Sequence, residues 1–172
     1  MQNKNILDFN INWNYKSISL LIFLLIIPNL LGAINLTLFS TVKIHFFQIA
    51  IFLAAFIYGP KGGALAGLTG SIYSAYLMSN SYLIIGNIIL GFFAGLFFKK
   101  KLSAITAVLI AFAIQLPYLI LTDFYLIHLP IKIITSIIIA LLISNILWAF
   151  IASKTYKTLG KRIFPIHQNL KF

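Results

Sequence analysis

The chain contains no cysteine and no glutamate, and its only acidic residues are Asp8 and Asp123. Without cysteine there is no disulfide, no thiolate-bound zinc or iron–sulfur cluster and no thiol nucleophile. Charge is scarce: 9 % of the 172 residues are charged, where an ordinary soluble domain carries roughly 25 %. What is present instead is apolar. Sixty-one per cent of residues are hydrophobic and the mean hydropathy is +1.02. That excludes a water-soluble globule and a disordered chain, and makes lipid the solvent for most of the surface.

The charge that remains is almost all basic, for a net charge of +11. The bases stand between apolar runs and near the chain ends, the arrangement of membrane topology signals, so no nucleic-acid partner is expected. The first apolar run has no small-residue end before a polar region, so no cleavable signal is expected. Six runs are separated by turn residues or lysines: 17–40, 45–58, 62–77, 82–98, 102–122 and 131–153. The expectation is an all-α integral membrane protein, one domain over 1–172, with six transmembrane helices and both termini cytoplasmic. A re-entrant pair within 45–77 is the alternative and would leave four full spans. With the N-terminus inside, Lys4, Lys16, Lys61, Lys99, Lys100, Lys101, Lys154, Lys157, Lys161, Arg162 and Lys171 fall on the cytoplasmic side, and only Lys43 and Lys132 fall outside. This asymmetry places the chain in the cell membrane as a multi-pass protein.

Small residues concentrate in Gly59-Pro-Lys-Gly-Gly-Ala-Leu-Ala-Gly-Leu-Thr-Gly70. Two stripes spaced by four run up the third span, Gly63–Gly67–Ser71–Ala75 and Gly62–Ala66–Gly70–Ser74, and Gly91 and Gly95 follow in the fourth. Such stripes let membrane helices approach closely, within the chain or toward a partner. A phosphate-binding loop is not expected, because Lys61 precedes the glycines and no G-x-x-x-x-G-K-[ST] order occurs.

Polar residues gather toward the expected outer side. Tyr82 and Asn87 are on the fourth span, Gln115 and Tyr118 on the fifth, Asp123 at its end, Tyr125 in the loop and Lys132 at the start of the sixth. These seven are the candidate substrate-binding residues. The amides need partners in a low dielectric, and the rings offer stacking faces. His45, His128 and His167 lack metal-ligand spacing, and Asp8 and Asp123 belong to opposite sides, so no metal site, cofactor or catalytic residue is expected.

The run from Phe56 to Tyr76 contains the Gly59-Pro-Lys-Gly-Gly-Ala64 turn, and Asn87, Gly91 and Gly95 follow at intervals of four. Together these resemble the substrate-binding S components of energy-coupling factor (ECF) transporters. The resemblance implies a six-helix protein that captures a vitamin or vitamin precursor from outside. It also implies partners: a membrane-embedded coupling subunit and two cytoplasmic ATPases. Many members carry alanines four apart on the first span, where the coupling subunit docks. Here that span opens Ser17-Ile-Ser-Leu-Leu-Ile, and the third-span stripes are the alternative docking surface. The histidine-containing start of the cobalt- and nickel-type members is also missing. Two other functions remain open on the sequence: a self-sufficient small transporter or facilitator, and a structural subunit of a membrane complex.

Overall fold

A computed structural model describes residues 14–32, 35–38 and 42–163. Lys4, Lys171, Asp8 and His167 lie outside them. Helix α1 spans Tyr15–Gly32, strands β1 (Asn35–Leu38) and β2 (Val42–His45) form an antiparallel hairpin, and α2 spans Gln48–Tyr58. Then come α3 (Pro60–Gly70), α4 (Ile72–Leu77), α5 (Tyr82–Lys99), α6 (Ala104–Leu121), a π-helical turn (Thr122–Leu126) and α7 (Ile131–Ile163). Four helical stretches are long and apolar enough to cross a bilayer: Tyr15–Gly32, Tyr82–Lys99, Ala104–Leu126 and Ile131–Leu159. The protein is therefore helical, multi-pass and membrane-embedded.

The expected elements need two corrections. The first run does not continue as helix to residue 40. The helix stops at Gly32, and Asn35-Leu-Thr-Leu38 pairs with Val42-Lys-Ile-His45 in the register Asn35↔His45 and Leu38↔Val42. Both segments alternate with period two, a strand pattern that overall hydropathy hides. The run 62–77 is also two helices. The Ser71 hydroxyl donates back to Gly67 O at the break, a bond that competes with continued helix.

Several contacts set which ends lie level. Tyr58 OH donates to Ser17 O at 2.6 Å. A Cβ added at Gly59 would lie 2.7 Å from Lys99 Cε. Phe98 and Tyr156 rings are 5.0 Å apart, and Phe56 packs on both. The start of α1, the α2–α3 turn, the end of α5 and the later part of α7 thus share one end of the bundle. That end carries Lys16, Lys61, Lys99, Lys100, Lys101, Lys154 and Lys157, with Lys161 and Arg162 further along α7. The opposite end holds the hairpin, residues 78–82, the π-helical turn with Asp123, the following loop with His128, and the start of α7 with Lys132. Gly59 makes the α2–α3 turn at φ 79°, a conformation costly for a side chain, and Pro60 starts the next helix where no N–H is required.

Helix α2 is central, with every residue from Ala50 to Tyr58 buried. It packs against α5 and α7, α5 packs against α6, and α6 against α7, which closes a four-helix ring. Helices α1 and α3 complete the bundle beside it. The tightest seam is α3 on α5. An added Cβ at Gly63 would strike the Gly91 carbonyl, one at Gly67 the Asn87 carbonyl, and one at Gly95 would lie 2.7 Å from Gly59 C.

Candidate functional site

Each helix of the ring carries one buried carboxamide. Gln48 and Asn145 are wholly buried, and Asn87 and Gln115 nearly so. Their depth follows from the helical rise of 1.5 Å per residue. Gln48 is about 15 Å from Tyr58, Asn87 about 18 Å from Lys99, and Gln115 and Asn145 each about 16 Å from Ala104 and Tyr156. All four reference residues stand at the basic end, so the four amides form one layer across the bundle. Register supports the same layer. The Ile51 side chain approaches Gly91, and Gln48 and Asn87 each stand one turn from that contact in the same direction. On the adjoining pair, a Cβ at Gly86 would lie 3.1 Å from Gln115 Nε2.

Most of this layer is unsatisfied. Gln48 Nε2 and Oε1, Gln115 Oε1, Asn145 Nδ2 and Oδ1, Ser144 Oγ and Trp148 Nε1 are buried with no hydrogen-bond partner. A buried, unpaired polar group costs about 1–3 kcal/mol, so several in one layer are a large penalty unless something else supplies the partners. Bundle cores build ligand sites in this way, from side chains on facing helices. The Trp148 and Phe46 rings also meet at a tilt of 51°, with centroids 5.0 Å apart, and add an apolar aromatic contact beside the layer.

The local sequence explains why α7 turns these groups inward. Leu142, Ile143, Ile146, Leu147 and Phe150 are exposed, while Ser144, Asn145, Trp148, Ala149 and Ala152 are buried. Amides are costly in hydrocarbon, so the polar pair takes the protein-facing side. Sequence reasoning missed Gln48, Ser144, Asn145 and Trp148. The available signal was isolation: Ser144-Asn145 is the one polar pair between Ser136 and Ser153, and Gln48 is the one amide in the run 46–58.

Of the expected substrate-binding residues, the structure links Tyr82, Tyr118 and Asp123 by hydrogen bonds, Asp123 by way of Asn80. Asn80 Nδ2 donates to Asp123 Oδ1 at 3.1 Å, and Asn80 Oδ1 accepts from Tyr82 N. Tyr118 OH donates to Tyr82 O at 3.3 Å. Gln115 and Asn87 lie deeper, in the amide layer. Asp123 is buried, and its carboxylate accepts from Asn80 and makes no ion pair with Lys132. Tyr125 is 65 % exposed, its ring against Phe124, and Lys132 is also exposed. Neither joins the layer.

The small-residue set lies inside the fold. Gly63, Gly67, Gly91 and Gly95 fill the α3–α5 seam, Gly62 lies under the Tyr58 side chain, Gly70 meets Pro28 of α1, and Ala66 is fully buried. Helix α3 touches neighbours on both stripes, and both are already covered by this chain. Among the described residues no cluster of three His, Asp or Glu stands ready for a metal ion. No family model, curated protein or solved structure matches the chain.

Proposed function

We propose that the protein is a non-enzymatic, solute-binding membrane subunit of an importer driven by other chains, of the ECF S-component type. In this reading six helices or helix pairs cross the cell membrane with both termini in the cytoplasm. Helices α2 and α3–α4 supply the two crossings beyond the four long helices. A small, vitamin-like solute enters from outside and is passed on with a coupling subunit and two cytoplasmic ATPases. The observation that carries the reading is the buried amide layer, whose unpaired donors and acceptors need a polar guest.

Other features agree with it. The α2–α3 turn is level with the start of α1 and the end of α5, as two crossings require. The basic end fits a cytoplasmic face. The Gly59-Pro-Lys-Gly-Gly-Ala64 turn and the Asn87–Gly91–Gly95 spacing resemble that family. The chain has no nucleotide-binding motif, and the one carboxylate in its described residues is tied to Asn80, so neither ATP hydrolysis nor a proton relay within this chain drives transport. The covered stripes of α3 leave the coupling subunit to dock on outward-facing side chains.

Radiolabelled vitamin uptake into cells expressing the chain, with and without the coupling subunit and ATPases, tests the proposal. Uptake is expected only with the partners, while the chain alone retains binding. Uptake by the chain alone would support a self-sufficient transporter instead.

A further inference from the structure

We infer that the amide layer takes an uncharged, flat ligand with an amide-type edge, such as a lactam, a ureide or a nucleobase-like ring; this rests on the solute-binding reading. Gln48 and Asn145 each leave both side-chain polar atoms unpaired. A primary carboxamide presents an N–H donor and a C=O acceptor side by side, and this pattern matches the N–H/C=O edge of a lactam with two hydrogen bonds. Trp148 Nε1 adds one donor, Gln115 Oε1 one acceptor, and Ser144 Oγ either.

The layer contains no countercharge among its described side chains. Asp123 is eight residues, about 12 Å, beyond Gln115 and bonded to Asn80. Lys132 is thirteen residues, about 20 Å, from Asn145 and exposed. The Tyr118 ring beside Gln115 has its hydroxyl on Tyr82 O, and the His45 ring, three residues before Gln48, packs against Phe47 with centroids 5.6 Å apart. An ion entering this layer would lose hydration with no partner of opposite sign, a far larger cost than burying a neutral amide that finds its hydrogen bonds. The Trp148 indole, planar and with its Nε1 unpaired at the layer, favours a planar guest.

The test uses the full chain purified in detergent, wild type beside Gln48→Leu and Asn145→Leu. Thermal-shift titration is run with uncharged nicotinamide, uracil and 2-imidazolidinone, with the anions nicotinate and orotate, and with the cation 1-methylnicotinamide. Uncharged probes are expected to raise the melting temperature of wild type by at least about 2–4 °C, their charged counterparts by less, and neither to act on the leucine variants. Charged probes that stabilise as well as the neutral ones, and lose the effect in the variants, would overturn the ligand class and leave a solute-binding subunit standing. If no probe shifts wild type, the variants decide. Unpaired amides that await a ligand make the leucine variants melt higher than wild type. Melting lower would show that the amides are structural, and would overturn both the inference and the reading it rests on.

Discussion

Asn29 shows how one side chain repairs a break in a membrane helix. The interruption between α3 and α4 frees backbone groups in a region without water, where each needs a partner. The Asn29 Nδ2 donates to Thr69 O at 2.8 Å, and its Oδ1 accepts from Tyr73 N at 3.0 Å. Thr69 returns a bond from its hydroxyl to Leu25 O, near Pro28. Asn29→Leu removes both bonds and leaves a carbonyl and an amide unpaired, so it is expected to destabilise the protein by about 2–4 kcal/mol, measured by unfolding in detergent. A wild-type unfolding curve would mean that lipid or detergent satisfies the break. Where residue 80 meets the π-helical turn, Asn80→Ala and Asp123→Ala are expected to be coupled. The double variant should be less damaging than the sum of the singles, because they share one hydrogen bond.

The α3–α5 seam determines what a helix face tolerates. Membrane helices gain little from hydrophobic burial against each other, so their contact energy comes from close fit. Gly63 and Gly91 stand backbone to backbone, and no side chain there can rotate aside. Gly63→Ala and Gly67→Leu are therefore expected to lower the yield of monodisperse protein severely on size-exclusion chromatography. Gly86→Ala is the contrast. Its new methyl group would meet the movable tip of Gln115 at 3.1 Å, and it should cost little in yield. Equal behaviour of the three variants would contradict the seam. This seam was legible in the sequence, because glycines spaced by four are a packing signal in any membrane helix. The hairpin was less so, since a four-residue alternation disappears inside a long apolar run. The pairing of Gln48 with helices far along the chain was not legible at all. A helix that is apolar on every side carries no amphipathic stripe to mark its inner face, and only the closed α2–α5–α6–α7 ring puts the amides on one level.

At the scale of the molecule, one strongly basic end and one end with few charges, Lys43, Asp123 and Lys132, frame an interior polar layer. Cysteines placed at Lys100 and His128 are expected to react with a membrane-impermeant reagent from opposite faces of intact cells, with His128 outside. Labelling of both from one face would remove the six-crossing topology. The amide layer itself makes the strongest demand, because its unpaired groups are explained by a guest. Native mass spectrometry of the detergent-purified chain addresses this directly. The wild-type protein should carry a small-molecule adduct at close to one per chain, and Asn145→Leu should lose it. A wild-type protein free of any adduct after purification from vitamin-supplemented cells, with Asn145→Leu indistinguishable from it, would contradict a solute-binding role.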